Sequence, residues 1–452
     1  MGGTWYHNTY PGCACDVWTT LYQFTFFQNP AWSRFVAPAP EIKQYLETFA
    51  TKFNLYPHIQ FKTKVTSATW RPEESLWKVV TNRGTLKCRF LISACGALHK
   101  PVMPNISGIN DFKGDYFHSS QWNHNIDITG KSVGIIGSAA SAVQIAPAIA
   151  DKVGSLHVFQ RTPNWFFPKF DPVYPDKLKS IFAQFPFLMT IQRIFFFVLV
   201  EAWSMVWLHK SLVSDLFQKV IESGMRRQTT SQSLADKMIP DYKLGCKRIL
   251  LTSDFIPVFD KPNCHLITDP INSVTRSGVQ TSQEDVKLDV IIYATGFDIE
   301  GSFCAFETIG QGDRKLRESL DHNPCAYLGM TVPDFPNFFF VFGPNTVLAH
   351  SSVLWMIECQ VEYIIQTINT MSSLHIKSID VRRDKTDEFQ DKMGQWTLNK
   401  NFSTSCKSWY KNKDGKNFVL WPSNLLQYWW MTFTPNILHD YKVEHFSEYF
   451  EM

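Results

Sequence analysis

The chain has 452 residues, with 44 basic and 41 acidic side chains and a net charge of +3. This near balance excludes a strongly basic nucleic-acid-binding protein and an acidic disordered chain, and the length predicts about three domain-sized units. Aromatic residues make up 15% of the chain, which favours large apolar cavities, an extensive buried core or an apolar surface.

The ten cysteines include no CxxC pair, which disfavours a zinc ribbon or a thioredoxin-like motif, and we predict no metal site. The start of the chain has no basic region followed by an apolar run, so it does not resemble a signal peptide. We therefore expect a cytoplasmic protein with free thiols.

The first hundred residues contain one helical pattern followed by strand patterns. Residues 42–53 space their apolar side chains as an amphipathic helix does. Strands are predicted at 59–65, 69–81 and 85–95, with a hairpin turn at 82–84.

A Pro-punctuated linker precedes a strand–helix–strand pattern. The apolar run at 132–136 predicts a buried strand, 137–142 a small-residue turn, 142–153 a helix and 156–160 a second strand. Together these elements predict a βαβ unit.

Helices and strands continue to alternate in the second half of the chain. Residues 166–235 predict an aromatic, mostly helical insertion, and apolar runs at 286–294 and 338–342 predict further buried strands. Residues 352–371 predict an amphipathic helix. The alternation indicates an α/β protein.

Residues 187–207 are about as long as a membrane span. Arg193 and Glu201 interrupt this run, and charges in mid-span are costly. The pattern favours a buried or partly exposed aromatic helix; the alternative is peripheral contact, with the helix lying in a membrane interface.

A degenerate dinucleotide fingerprint follows the strand at 132–136. Gly137, Ser138, Ala139, Ser141 and Ala142 fall on the strand–helix junction that GxGxxG/A requires. Ala139 replaces the second glycine, where a Cβ crowds a pyrophosphate. A plain strand–helix turn is the alternative.

The next strand ends in Arg161-Thr162. In a dinucleotide fold this position meets the adenosine ribose, and an arginine there suits the 2′-phosphate of NADP. The alternative is a solvated charge at a strand end.

Between the linker and the βαβ unit, Phe112, Gly114, His118 and Trp122 fit the pattern FxGxxxHxxxW. With this motif the sequence resembles the Baeyer–Villiger monooxygenases, which are flavin-dependent. In that family the motif is linked to interdomain control. Without the resemblance, His118 would be interpreted as a linker histidine whose hydrogen bonds are satisfied.

The resemblance extends over nearly the whole chain, through the segments 2–6, 160–165, 245–248, 289–297 and 335–344. It implies two Rossmann-like domains, for FAD and NADP, with the NADP domain inserted in the FAD domain.

The implied boundaries divide the chain at residues 100 and 295. Residues 1–100 and 296–452 then form the FAD-binding domain, and 101–295 form the NADP-binding domain, with a helical insert at about 168–240.

The resemblance also implies roles for individual residues. Arg248 is the catalytic arginine, Asp16 holds it, and Lys247 joins Arg161 at the NADP 2′-phosphate. By composition alone, Lys247 and Arg248 are a surface basic pair. The implied FAD contacts are Gly3, Thr4, Trp5, Asp16, Tyr22, Val65 and Asn345.

The implied reaction is oxidation of a ketone to an ester or lactone by NADPH and O₂, through a flavin peroxide, on a small apolar substrate. One alternative is oxygenation of nitrogen or sulfur. The family's first GxGxxG lies before the 2–6 segment, and only Met1 precedes that segment here. We therefore expect the first FAD fingerprint to be absent, and a catalytically dead NADP-binding protein or fragment is the other alternative.

Overall fold

A computed structural model describes residues 1–321, 324–412 and 414–446. The helices in chain order are α1 (Thr4–His7), α2 (Ala39–Lys52), α3 (Ala140–Ile149), α4 (Asp176–Gln184), α5 (Phe187–Leu208), α6 (Leu212–Arg226), α7 (Gln232–Met238), α8 (Ile299–Phe303), α9 (Leu316–Asp321), α10 (Val353–Ser373), α11 (Arg383–Leu398), α12 (Leu425–Thr432) and α13 (Ile437–Asp440).

The strands in chain order are β1 (Val65–Arg71), β2 (Leu76–Thr81), β3 (Gly84–Cys88), β4 (Leu91–Ser93), β5 (Asp115–His118), β6 (Ser132–Ile136), β7 (Ser155–Phe159), β8 (Phe166–Phe167), β9 (Leu250–Leu251), β10 (Cys264–Ile267), β11 (Ile271–Thr275), β12 (Gly278–Thr281), β13 (Asp285–Lys287), β14 (Val290–Tyr293), β15 (Glu307–Ile309), β16 (Phe338–Phe340), β17 (Ile376–Val381) and β18 (Tyr441–His445).

These elements form two compact units, and the predicted α/β class is confirmed. The first unit comprises Met1–Gln23, Phe27–Phe53 and Leu98–Asp298. The second comprises Phe24–Phe26, Asn54–Ala97 and the chain from Ile299 onwards. The domain boundaries inferred from the resemblance stay a prediction.

The first unit contains a parallel five-stranded sheet in the order β10-β7-β6-β14-β5. In register, Val133 of β6 lies between Leu156 of β7 and Val290 of β14. All three side chains are fully buried. Apolar residues succeed one another along these strands because both faces of a parallel sheet are covered.

Strand β6, helix α3 and strand β7 form the predicted βαβ unit. Helix α3 begins at Ala140 and ends at Ile149, so it lies a few residues before the predicted range of 142–153. Small side chains let the first turn of α3 form directly after the turn at Gly137.

The predicted helical insertion is present as α4 to α7. The insertion begins after β8 and ends before β9. These two short strands pair in parallel, Phe166 with Leu250. Helix α5 packs on α6, and α6 packs on α7.

The second unit is built from a four-stranded sheet in the order β15-β1-β2-β3, a parallel pair β16–β4 and an antiparallel pair β17–β18. Helix α10 spans Val353–Ser373, close to the predicted 352–371. Ser352 caps it, because its side chain accepts a hydrogen bond from the Leu354 backbone N–H.

Several strand predictions in the first hundred residues are wrong. Residues 59–64 form turns and irregular backbone, and the strand begins at Val65. The predicted strand 69–81 is two strands joined by a turn at Pro72–Ser75, where Ser75 has a φ of 49°. Proline has no N–H to donate and favours this turn.

Two longer predicted strands are also divided. Residues 85–95 contain β3 and β4. Residues 286–294 contain β13, which pairs with β12, and β14, which belongs to the parallel sheet. In both cases the predicted strand spans a change from one sheet to another.

The expectation of free thiols is correct for eight of the ten cysteines. It is wrong for Cys246 and Cys406, which are disulfide-bonded in the structure.

Candidate active site

An ion pair joins Asp16 to Arg248 within the first unit. The Nε and Nη2 atoms of Arg248 each lie 2.7 Å from Oδ2 of Asp16. Arg248 stands two residues before β9, and Asp16 follows the buried Cys15 in a loop. Both side chains are partly exposed, so the fixed guanidinium remains accessible.

Trp5 and Tyr22 form a second contact near the start of the chain. The indole Nε1–H of Trp5 donates to the Tyr22 hydroxyl at 3.1 Å, and the rings meet edge to face. Burial raises the pKa of Tyr22 well above its ordinary value, so this hydroxyl stays protonated. Nearby, Gly3 has a φ of 51°, and an added Cβ would meet no atom within 4 Å.

Cys15, beside Asp16, has a buried side chain, and burial raises the pKa of its thiol strongly. A thiol that stays protonated at neutral pH is a poor nucleophile. Cys15 therefore packs rather than reacts.

The turn between β6 and α3 requires glycine at its first position. Gly137 has a φ of 113°. An added Cβ would lie 2.4 Å from the carbonyl oxygen of Ala294, the residue that follows β14. Ala139 is exposed at the N-cap of α3, and Ala142 is fully buried. The buried alanine allows the close helix–strand approach that the fingerprint requires.

Hydrogen bonds attach this turn to the end of β7. The Ser138 hydroxyl donates to the Thr162 carbonyl at 3.3 Å, and the Asn164 side chain donates to the Ser138 carbonyl at 3.0 Å. The residues predicted to meet the pyrophosphate and those predicted to meet the ribose are thus neighbours. Ser141 is half-buried in the first turn of α3.

Arg161 and Lys247 lie close enough to interact electrostatically. Burial, and next the positive charge of Arg161, lower the pKa of Lys247, while Asp241 opposes this. Lys247 Nζ also lies 4.6 Å from the centre of the Tyr242 ring. Two neighbouring cations repel, and a bound phosphate relieves that repulsion.

The FxGxxxHxxxW residues connect β5 to the end of β14. The Ser120 backbone N–H donates to His118 Nδ1, so the proton lies on Nε2, which donates to the Gly296 carbonyl at 3.1 Å. His118 is buried, and burial lowers its pKa. It is therefore a neutral histidine that ties two neighbouring strand ends together.

The other three motif residues support this connection by packing. Phe112 is buried, and a Cβ on Gly114 would lie 2.3 Å from the Asp289 carbonyl oxygen. Trp122 packs edge to face on Phe117 of β5.

Val65 and Asn345 belong to the second unit. Val65 is the first residue of β1. Asn345 is buried with a φ of 58°, and its backbone N–H donates to the Phe418 carbonyl at 2.9 Å.

Sequence reasoning missed Gln144 on α3. Its side chain accepts from the Tyr10 hydroxyl and the Ala14 N–H, and donates to the Ala14 carbonyl at 3.0 Å. It thereby holds the loop before Asp16 against the fingerprint helix. These partners are 130 or more residues away in the chain, and no local pattern signals them.

The residues present fit a dinucleotide at the β6–α3 turn, and those near the start of the chain fit a flat ring. Gly137 presents no side chain at the first position of the β6–α3 turn, and Arg161 with Lys247 supplies adjacent cations for a phosphate. Open backbone at Gly3 beside the fixed indole of Trp5 suits a flat aromatic ring. Among the described residues, no group of three or more His, Cys, Asp or Glu side chains could hold a metal ion.

Comparison with known proteins agrees with this architecture. Residues 21–309 match the family described as flavin-binding monooxygenase-like. The chain is 34% identical over 426 residues to a Baeyer–Villiger monooxygenase of Pseudomonas aeruginosa, covering 93% of this chain and 81% of that protein. A Baeyer–Villiger monooxygenase of Streptomyces coelicolor is 34% identical over 434 residues, with 95% and 83% covered.

Solved structures of the same kind superpose closely. A steroid monooxygenase bound to NADP gives a TM-score of 0.89 at 27% identity, covering 99% of this chain and 93% of that one. Cyclohexanone monooxygenase from Rhodococcus sp. Phi1, bound to NADP⁺, gives 0.88 at 25% identity, covering 98% and 92%.

Fold and site together define a flavin-dependent oxidoreductase with two dinucleotide folds. The chain belongs to the flavin-binding monooxygenase-like family and, within it, to the Baeyer–Villiger monooxygenases. The resemblance inferred from the motifs is confirmed, and its main reaction is favoured over the two alternatives.

Proposed function

We propose that the chain uses FAD and NADPH to oxidise a small apolar ketone to an ester or lactone with O₂. The observation that carries this proposal is the Arg248 guanidinium held at 2.7 Å by Asp16. The names of the relatives support it, since cyclohexanone and steroid monooxygenases adopt the same fold. We place the activity in the cytoplasm.

Bound FAD, once reduced by NADPH, supplies the activated oxygen that enters the bond beside the ketone carbonyl. In the first unit, the residues that would hold FAD are Gly3, Thr4, Trp5, Asp16 and Tyr22; Val65 and Asn345 remain contacts predicted from the resemblance.

Arg248 would stabilise the negative charge that develops on the carbonyl oxygen of the ketone. A guanidinium remains protonated at all working pH values, and its fixed position means that little reorganisation accompanies the reaction. Asp16 binds two of its N–H groups and so orients the cation before substrate arrives.

NADP would bind across the β6–α3 turn. Gly137, Ser138, Ala139, Ser141 and Ala142 would meet the pyrophosphate. The 2′-phosphate would lie between the adjacent cations Arg161 and Lys247, with Thr162 beside them, and this charge pair would select NADPH over NADH.

The FxGxxxHxxxW residues would have a positioning role. Neutral His118, the last residue of β5, holds the segment that follows β14 through its hydrogen bond to the Gly296 carbonyl. With Phe112, Gly114 and Trp122 it would control how the dinucleotide-binding elements move relative to one another.

The test begins with the purified chain, added FAD and a panel of cyclic, steroidal and linear ketones. We expect bound flavin in the visible spectrum, NADPH consumption that depends on ketone, and an ester containing one oxygen atom from ¹⁸O₂. Arg248→Ala should retain flavin and lose the ester product. Flavin-free protein, or oxygenation of amines and sulfides by both forms without ester, would contradict the proposal.

A further inference from the structure

Helix α5 exposes more apolar surface, and buries more charge, than an ordinary surface helix does. Its charged residues Arg193 and Glu201 are buried, together with Ser204. Its exposed face consists of large apolar side chains, with Ile194 at 59% and Phe195 at 62% exposed. A water-soluble helix buries its apolar stripe and exposes its charges, so water alone does not explain this arrangement.

Polar contacts hold α5 to the rest of the first unit on its buried side. Arg193 Nη1 donates to the Thr20 and Gln23 carbonyls at 3.1 and 2.9 Å, and the Thr20 hydroxyl donates to the Gln192 side chain at 3.1 Å. The helix therefore cannot turn its apolar face inward without breaking buried charge-assisted hydrogen bonds.

Helix α6 continues the apolar surface. Its N-terminal half exposes large apolar side chains, and Leu212 is 88% exposed. Trp203 of α5 packs on Phe217 of α6, with ring centres 4.8 Å apart, which keeps the two helices together. We call their combined apolar surface the insert face; its members with an exposed fraction of 59% or more are Phe187, Ile194, Phe195, Val198, Leu212, Leu216 and Val220.

Exposed charge around the insert face is positive. The two carboxylates of α6 are paired, Asp215 with Lys243 and Glu222 with Arg226. Lys210 and Lys219 are exposed, and within the described part of the chain no carboxylate lies within 4.0 Å of Lys219 Nζ. The surface thus combines apolar side chains with cations, which suits an anionic lipid surface.

We propose that the insert face docks on an anionic bilayer, with α5 lying in the plane of the lipid interface. At 22 residues, α5 is about 33 Å long, and it is the helix among the described residues whose length and composition would allow it to cross a membrane. Its buried side carries Arg193 and Glu201 against protein, so only one side is available to lipid. One-sided exposure fits a helix lying in the interface.

A second copy of the chain is the competing occupant. In a two-fold contact the same patch meets itself, so both copies of Lys219 would be placed in one apolar interface. An anionic lipid surface instead gains from these lysines.

The experiment measures binding of the purified chain, with FAD added, to extruded vesicles. One set contains phosphatidylcholine alone and the other contains phosphatidylcholine with phosphatidylserine. We expect co-sedimentation that is stronger with phosphatidylserine, weakens with added salt, and shifts tryptophan emission to shorter wavelength. The double variant Phe195→Ser/Val198→Ser should lower the vesicle partition coefficient about ten-fold or more.

Matched controls separate docking through the insert face from nonspecific adsorption to vesicles. Leu398→Ser replaces an apolar residue outside the insert face that is 70% exposed, and this variant should bind as the wild type does. Lys219→Glu should weaken binding only to phosphatidylserine vesicles, whereas Lys416→Glu should not. Circular dichroism shows whether each surface variant is folded.

Three results would overturn the proposal. The first is wild-type protein that stays in the supernatant with both vesicle types. The second is unchanged binding by the folded Phe195→Ser/Val198→Ser variant. The third is a lipid-independent dimer that this variant dissociates, because the insert face would then be an interface between copies.

Discussion

Arg248 directs two nitrogen atoms, Nε and Nη2, at the single oxygen Oδ2 of Asp16, each at 2.7 Å. These residues are 232 positions apart. Their contact converts a flexible, partly exposed cation into one with a fixed direction, and it is the contact on which the proposed chemistry depends.

We expect Asp16→Asn to lower kcat for ketone oxidation by about 10- to 100-fold, because an amide holds the guanidinium less firmly. KM for NADPH should change little, since Asp16 lies outside the cation pair that we assign to the 2′-phosphate. Steady-state kinetics measure both values. Asp171→Asn is the control, because Asp171 also pairs with an arginine, Arg34, in the first unit but outside the site; an equal loss in both variants would show a structural effect.

We expect Arg161→Ala to weaken NADP⁺ binding about ten-fold or more and to leave NAD⁺ binding unchanged, because a charged hydrogen bond to phosphate contributes about 1.5–3 kcal/mol. Isothermal titration with the two nucleotides measures this directly. Lys152→Gln removes an exposed charge in the turn that follows α3 and should have no such effect. Equal weakening for both nucleotides would remove Arg161 from the 2′-phosphate site.

We expect Gly137→Ala to destabilise the protein by about 2–4 kcal/mol, because its Cβ would lie 2.4 Å from backbone at a φ of 113°. Gly224→Ala is the matched control. Gly224 lies inside α6 with no atom within 4 Å of an added Cβ, so alanine there should stabilise by about 0.5–1 kcal/mol. Chemical denaturation measures both changes, and similar effects would refute the steric argument.

We expect part of the stability to be lost as pH rises from about 4 to about 7. Burial, and next the charge of Asp334, raise the pKa of Asp380 from 3.8 to about 7. In this window the folded state holds a proton that the unfolded state has released, so unfolding becomes easier as pH rises. The stabilisation is fully present below the unfolded pKa and amounts to about 1.4 kcal/mol per pKa unit.

Urea unfolding at several pH values, with wild type and Asp380→Asn, tests this expectation. The variant should lose the decline between pH 4 and pH 7. Asp384→Asn, at an exposed position, should keep it. An identical pH profile in wild type and Asp380→Asn would assign the decline to other groups.

Prediction from sequence succeeded where a segment is buried on both faces. Strand β6 has the predicted bounds, because a continuous apolar run between a charged residue and Gly137 permits few alternatives. It failed where two short strands close together in the chain pair in different sheets. Val286 and Val290 look alike in sequence, yet they pair with Val279 and Val133 in different sheets.

The sequence by itself determined the βαβ unit, the glycine requirement at Gly137 and the family, because these depend on short-range patterns of residue type. Only the tertiary structure decided that Asp16 meets Arg248, that Gln144 holds the loop before Asp16, and that α5 turns its charges inward. The physical reason is that a local pattern states which residues can pair or be buried, whereas their partners come from distant segments brought together by folding.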